Sequence, residues 1–366
     1  MDEKYMKRAI KLSKMGIGTV NPNPLVGAVI VKDGRIIGEG YHEKYGGPHA
    51  EINALYSAWE DVKGGTMYVT LEPCSHYGRT PPCTNAIIKK GISKVIIGMK
   101  DPNPLVAGKG IKILKEHGIK VVEGVLEKEI VKINEIFVHY ITTNKPFCIL
   151  KTAMTLDGKI ATAFGDSKWI SNKQSRKFVH EIRHQVSAIM VGIGTVLADD
   201  PSLTTRLGNK EGVDSLRIIV DSTAKIPLEA KVLHLQSKAK TLIATTKKAK
   251  AEKIKILENL GIEVVITPLK EDKVDLKFLM DYLGKRRIDS VLIEGGATLN
   301  FNALKEGIVN KVITFIAPKI IGGEKAKTSV GGRGKDYIKD AFLLENMDLK
   351  SFGEDFMIEA YVKKEV

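Results

Sequence analysis

The sequence predicts an α/β protein of two domains. Short apolar strands alternate with helix-period segments through both halves of the chain. The 366 residues exceed the roughly 150 of a typical domain more than twofold. Asn144-Lys145-Pro146 interrupts the alternation, so the expected domains are 1–145 and 146–366.

The first half begins with an amphipathic helix, in which Met6, Ile10 and Leu12 or Ser13 fall near a helical period. VGAVIVK (26–32) and RIIGEGY (35–41) flank Asp33-Gly34, a two-residue hairpin signal. HAEINALYSAW follows. Its Ile52, Leu55, Tyr56 and Trp59 have the spacing of a helix with one buried face. TMYVTL is a strand ended by Pro73, CTNAIIKKG a helix, KVIIGM a strand, KGIKILKEHG a helix and KVVEGV a strand. A helix over about 127–143 completes a three-layer α/β unit.

The second half starts with the apolar run PFCILKTAMT and then alternates again. A helix is expected near 173–185, then strands at AIMVGIG, RIIVD, TLIAT and EVVIT, and a helix near 274–283. SVLIEGG, the helix ATLNFNALKEG, KVITFIA and a last strand FMIEAYVK follow. Residues 245–280 are rich in lysine, and a solvated helical face is expected there.

Composition narrows the function. Hydrophobic residues make up 43% and charged residues 27%, as in soluble globular proteins. No apolar run is long enough to span a membrane, and the charged N-terminus does not read as a secretory signal. Three cysteines argue against a disulfide-stapled fold and for a reducing compartment. The formal charge of +14 fits either nucleic acid or phosphorylated small molecules. Its diffuse distribution favours a solvated surface with locally basic pockets, and no basic-aromatic tract accompanies the cysteines.

His49, Cys74 and Cys83 carry the chemistry. One imidazole and two thiolates make a three-ligand zinc set with an open position. A closed structural site would recruit a fourth ligand, His76 or His42. Glu51 argues for the open site, because a carboxylate beside a ligand at a helix start can reach a metal-activated water. Residues at i and i+2 do not share a helix face, so His49 must stand at the helix start. Zinc brings the pKa of bound water down to about 7. With Glu51 as general acid and base, the set suits hydrolytic deamination of an amine-bearing ring carbon. His-x-Glu and Pro-Cys match the zinc-deaminase signature, but eight residues separate the cysteines here instead of two. A Cys74–Cys83 disulfide is the competing reading. Cys148, in PFCIL, reads as a buried small hydrophobe. NPNPLVG (21–27) and DPNPLVAG (101–108) echo each other as stiff loops, each aiming an asparagine, Asn23 or Asn103.

Signals in the second half are weaker. Gly295-Gly296 sits between an apolar strand and a helix, where backbone amides can meet a phosphate, but the pattern is not Gly-x-Gly-x-x-Gly. Trp169 lies in a polar stretch, as a stacking ring or a partly buried anchor. Arg183 and Arg206 are candidates for fork-like phosphate contacts.

TVNPNPLVGAVIV, GGPHAEINAL and LEPCSHYGRTPPCTNAI resemble the deaminase half of the bifunctional riboflavin-biosynthesis deaminase–reductases. KTAMTLDGKIAT, GDSKWIS, VGIGTVLADDPSLTTR and LIEGGATLNF resemble the reductase half, in the same order. The resemblance implies a cytidine-deaminase-like α/β/α domain followed by a dihydrofolate-reductase-like α/β domain. It implies zinc on His49, Cys74 and Cys83, with Glu51 as the proton shuttle. It implies that Asn23, His42, His76, Asp101 and Asn103, and Arg79 less uniformly, line a pocket for a phosphorylated pyrimidine. In the second half it implies NADPH contacts at Ala153, Trp169, Thr195, Asp199 and Ser222 and along Gly296, Ala297, Thr298, Leu299, Asn300, Phe301 and Asn302. It implies substrate contacts at Ser167, Arg183, Leu203, Arg206 and Glu294. The expected partners are small phosphorylated pyrimidines rather than nucleic acid or membrane, in a cytoplasmic homo-oligomer.

Overall fold

The computed structural model describes residues 2–77, 81–103, 106–208 and 211–363. Contacts divide the chain into two units, 1–144 and 145–366.

The first unit holds β1 (Gly27–Lys32), β2 (Arg35–Tyr41), β3 (Thr66–Leu71), β4 (Lys94–Met99) and β5 (Lys120–Val122). Its helices are α1 (Asp2–Ser13), α2 (Ala50–Tyr56), α3 (Cys83–Lys89), α4 (Lys109–Glu116), α5 (Glu127–Ile133) and α6 (Glu135–Thr143). The sheet order is β2-β1-β3-β4-β5, antiparallel across β2, β1 and β3 and parallel from β3 to β5. Asp33 and Gly34 both have positive φ, as the tight hairpin requires.

The helix over 50–59 is shorter than its periodicity predicts. It ends at Tyr56, and Tyr56 and Trp59 are exposed, with the Arg35 guanidinium over the Trp59 ring. Its buried face is Ala50, Glu51, Ala54 and Leu55. The reason lies in β2. A Cβ on Gly40 would stand 2.3 Å from the Ala54 nitrogen, and one on Gly38 2.4 Å from the Ala54 oxygen. Helix and strand are so close that only small residues fit between them, and this contact seats the start of α2 over the sheet.

The helix expected over 127–143 is two helices. Asn134 separates them, and its buried carboxamide accepts from the Leu25 N–H at 2.8 Å and donates to the Leu25 carbonyl at 3.1 Å. The break ties α6 to the loop that carries Asn23.

In the second unit, β6 (Phe147–Thr155), α7 (Lys173–Gln185), β7 (Ala188–Gly192), α8 (Ile193–Asp199), β8 (Leu216–Val220) and β9 (Thr241–Thr246) come first. Then follow α9 (Ala251–Asn259), β10 (Glu263–Thr267), the small hairpin β11 (Leu269–Lys270) and β12 (Lys273–Val274), and α10 (Leu276–Lys285). The unit ends with β13 (Ser290–Ile293), α11 (Ala297–Lys305), β14 (Lys311–Ala317), β15 (Leu344–Phe352) and β16 (Asp355–Val362). Nine strands form one sheet, β10-β9-β8-β7-β13-β6-β14-β16-β15, parallel except around β16. The central strands are buried on both faces, which explains their unbroken apolar runs. The lysine-rich stretch holds α9 as a largely solvated helix, but also the strand β10 and the β11–β12 hairpin. Strand β15 has no apolar alternation that would announce it.

No helix among the described residues is long and apolar enough to cross a membrane.

Candidate active sites

His49 is the N-cap of α2, in extended conformation, so its ring leaves the helix while Glu51 enters the first turn. Cys74 follows the end of β3, and Cys83 is the first residue of α3. The ligand atoms of His49, Cys74 and Cys83 lie within 4.8 Å of one another. Nδ1 of His49 is 3.5 Å from the Cys74 sulfur and 3.3 Å from the Cys83 sulfur. Tetrahedral zinc with ordinary bond lengths sets nitrogen and sulfur ligands about 3.6 Å apart, so the group fits the ion. All three cysteines are free thiols, which removes the disulfide reading. The Cys83 N–H donates to the Cys74 sulfur at 3.3 Å. Hydrogen bonding from Cys83, aided by His49, drives the Cys74 thiol down to about 4. Its bond to Cys74, with burial added, pushes Cys83 upward. Burial lifts the Glu51 carboxyl to about 7, with His49 opposing.

A cavity of about 260 Å³ opens over this cluster. It gathers Asn23, His42, His49, Glu51, Cys74, His76, Asp101 and Asn103. The two echoing loops therefore deliver their asparagines to one place. Cys83 is buried behind the cavity wall, and Arg79 lies outside the described residues. Burial lowers the pKa of His42 and raises that of Asp101. Glu72, Phe137 and Ile141 also line the cavity. Sequence reasoning missed them. Phe137 and Ile141 come from α6, whose placement depends on Asn134, and Glu72 read as part of the cysteine motif.

The second unit has two cavities. One, of about 400 Å³, is lined by Ala153, Ser167, Trp169, Arg183, Thr195, Asp199, Leu203, Arg206 and Glu294. Lys151, missed from the sequence because it sits in the apolar run of β6, joins them. Glu294 is buried between Arg183 and Lys151. The Arg183 Nη2 donates to it at 3.0 Å and the Lys151 ammonium at 3.4 Å. Burial alone would raise this carboxyl, but the two cations overcome it and hold it at about 2. The fork of Arg183 is thus occupied. Nε and Nη2 bind Glu294, and Nη1 donates to the Thr204 carbonyl at 2.9 Å. The Nε–Nη2 edge, expected to fork a phosphate, is engaged by Glu294 instead. Arg206 is exposed, beside His180. Trp169 is exposed at the rim with the Arg176 guanidinium 4.5 Å from its ring centroid, so it is not a buried anchor.

The other cavity, of about 430 Å³, is lined by Ser222, Gly296, Thr298, Leu299 and Asn302, with Lys225 and Lys273. Gly295 and Gly296 have φ of 122° and 85°, a backbone that L-residues avoid, which is why the turn into α11 is Gly-Gly. The run 296–302 does not face the cavity as a whole. Asn300 is buried and donates to the Ser329 carbonyl, Phe301 packs on Phe342, and Ala297 lies against Gly331. Helical periodicity turns these three away. Cys148 is fully buried, its thiol pushed up to about 12 by burial, and it is absent from the metal cluster.

A zinc-ligand cluster with an adjacent carboxylate on one α/β unit, and a largely parallel sheet with two clefts on the other, define a two-domain enzyme: a zinc-type deaminase followed by a reductase-type domain. Residues 1–99 match the model of the cytidine and deoxycytidylate deaminase zinc-binding region, and 146–358 match the RibD C-terminal domain. The chain is 49% identical to riboflavin biosynthesis protein RibD of Actinobacillus pleuropneumoniae, covering 99% of this chain and 95% of that protein. It is 45% identical to that of Aquifex aeolicus, covering 98% of each. Solved RibD from Acinetobacter baumannii superimposes with a TM-score of 0.89 at 38% identity, over 99% of both chains. A diaminohydroxyphosphoribosylaminopyrimidine deaminase/5-amino-6-(5-phosphoribosylamino)uracil reductase from Thermotoga maritima does so with 0.86 at 42%, also over 99% of both. The chain belongs to the RibD family and is a bifunctional deaminase and reductase of riboflavin biosynthesis.

Proposed function

We propose that the first unit deaminates 2,5-diamino-6-(5-phosphoribosylamino)pyrimidin-4-one, and that the second reduces the ribosyl chain of the resulting aminouracil with NADPH. The observation that carries the first step is the convergence of His49, Cys74, Cys83 and Glu51 on one cavity with Asn23, Asp101 and Asn103. Zinc on the three ligands supplies Lewis acidity that makes water nucleophilic near neutral pH. Glu51, buried and lifted towards neutrality, can both take and return a proton in that range. It accepts one proton of the incoming water and delivers it to the ring nitrogen; it then takes the second from the added hydroxyl as that becomes the carbonyl, and passes it to the amine, which departs as ammonia. Asn23, Asp101 and Asn103 offer polar groups that orient the ring, and Phe137 and Ile141 give it an apolar wall.

For the second step, NADPH supplies the hydride. The cavity bounded by Ser222, Gly296 and Asn302 suits the adenosine end, and Lys225 and Lys273 at its edge favour a cofactor carrying an extra phosphate. The neighbouring cavity holds the opened ribose. Lys151 faces it, paired with Glu294, and is placed to give a proton to the group that gains electron density when hydride arrives. Arg206, with its guanidinium exposed, is the phosphate contact.

A homo-oligomer in the cytoplasm completes the reading. The three cysteines are unpaired, as a reducing compartment keeps them. β15 is an edge strand of nine residues with Leu344, Met347 and Leu349 exposed, a surface suited to pairing with a second copy. The deciding experiment incubates the zinc-loaded protein with the diaminopyrimidinone phosphate, with and without NADPH, and weighs the products. Replacement of an amine by oxygen is expected without NADPH, and gain of two hydrogens in addition with it. No ammonia release would overturn the first assignment. Deamination without reduction would overturn the second.

A further inference from the structure

Glu72 lies between the end of β3 and Cys74, and it is buried. Its carboxylate accepts four backbone N–H groups. Oε2 takes those of Asp101 at 3.2 Å and Gly108 at 2.9 Å. Oε1 takes those of Gly110 at 2.9 Å and Ile111 at 3.3 Å. All four belong to the segment that runs from β4 into α4. Two of them sit in the first turn of α4, where amides lack a partner within the helix. A lone buried carboxylate would be costly, and these donors compensate it. Gly110 shows how tightly the segments meet: a Cβ there would stand 2.1 Å from the Pro73 oxygen.

One side chain therefore joins two walls of the deaminase cavity. On one wall Cys74 follows two residues later. On the other stand Asp101, whose carboxylate accepts the Asn103 N–H at 2.9 Å, and Asn103 itself. We propose that Glu72 is a positioning residue of the deaminase, fixing the Asp101–Asn103 wall relative to the metal-ligand segment and so placing the substrate ring against the reacting centre. The proposal rests on the reading of Asp101 and Asn103 as substrate-facing. Glu72 acts through the backbone it holds, since both its oxygens are engaged by amides. A carboxylate is required, because a carboxamide would turn an NH2 group towards two N–H donors.

Glu72→Gln in the full zinc-loaded chain tests this. A small displacement of a positioning wall costs about a hundredfold in rate, so deaminase kcat/KM is expected to fall by about that factor. A rise in KM is expected to form part of it, with zinc near one per chain and NADPH-dependent reduction of the aminouracil unchanged. Amide exchange should accelerate at 101, 108, 110 and 111 and not elsewhere in the unit. Glu72→Asp, which keeps the charge on a shorter stem, should show the same pattern to a smaller degree, and its readouts decide if Glu72→Gln does not fold. Loss of zinc, or faster exchange with kcat/KM held within about twofold, would overturn the proposal. Asp101→Ala separates the two readings. If it leaves KM unchanged, the substrate-facing assignment fails, whatever the exchange data show.

Discussion

The carboxamide nitrogen of Asn23 lies 3.0 Å from Nε2 of His42, while Nδ1 of the same ring lies 3.0 Å from the Pro48 carbonyl oxygen. A carbonyl only accepts, so Nδ1 holds the proton, and burial keeps the ring neutral. Nε2 is then an acceptor, and it fixes which end of the Asn23 amide it binds. Asn23 keeps its oxygen and one N–H to offer, the oxygen an acceptor suited to an N–H or NH2 on a pyrimidine. His42 thus acts through Asn23, since both its nitrogens are engaged. His42→Phe should raise deaminase KM about tenfold, the worth of one well-placed hydrogen bond, with zinc content unchanged. Steady-state kinetics beside metal analysis checks this; zinc loss would instead mark His42 as support for His49.

With Glu51 as the proposed proton-transfer group, its removal should separate the two activities. Glu51→Gln is expected to lower ammonia release by at least about a hundredfold, the usual share of general acid–base catalysis. NADPH oxidation on the deaminated substrate should persist. Zinc content should hold in Glu51→Gln and in Cys148→Ser, because neither side chain belongs to the cluster of His49, Cys74 and Cys83. A chelator should abolish only the first activity. Elemental analysis paired with the two assays reads all of these.

The deaminase cluster was legible because its chemistry depends on residue types that rarely meet by chance. His49, Glu51, Cys74 and Cys83 stand at helix starts and a strand end that the apolar pattern already marked. What the pattern hid were contacts made by shape. The buried face of α2 could not be told from Tyr56 and Trp59, because the close approach of Gly38 and Gly40 decides it. The division of α5 from α6 was hidden for a similar reason: Asn134 bonds to Leu25, which is distant in sequence. In the reductase half, an ion triad assembled from β6, α7 and the end of β13 leaves no local motif. Lys151 and the occupied fork of Arg183 became visible only with the strands in register.

The two lysines beside Ser222 bear on the choice of cofactor. Lys273 Nζ lies 3.3 Å from the Asn302 side-chain oxygen, and the Ser222 hydroxyl accepts the Val274 N–H at 3.2 Å. The small β11–β12 hairpin therefore holds Lys273 in the lining of the cavity, which Lys225 also lines. Lys225→Glu with Lys273→Glu should weaken NADPH by about tenfold or more while NADH changes little, since an ammonium on a phosphate is a charge-assisted contact. Calorimetric titration with adenosine 2′,5′-bisphosphate and with AMP reads this without turnover. Equal weakening of both would show that the lysines do not sense the extra phosphate.

Glu294 ties the reductase unit to pH. Its carboxyl is held at about 2 in the folded chain, below the ordinary glutamate value, because Arg183 and Lys151 outweigh its burial. A carboxyl depressed on folding contributes stability above its unfolded pKa and loses it as pH falls through the folded value. The contribution is therefore full above about pH 5, declines through the window from about 4 to about 2, and amounts to about 3 kcal/mol. Acid unfolding of the second unit, followed by its own spectroscopic transition, should steepen in that window. Glu294→Gln should flatten it while lowering stability at neutral pH, because two partly buried cations then lose their counter-ion. If the acid limb of Glu294→Gln overlays that of the parent, Glu294 is not the group that titrates.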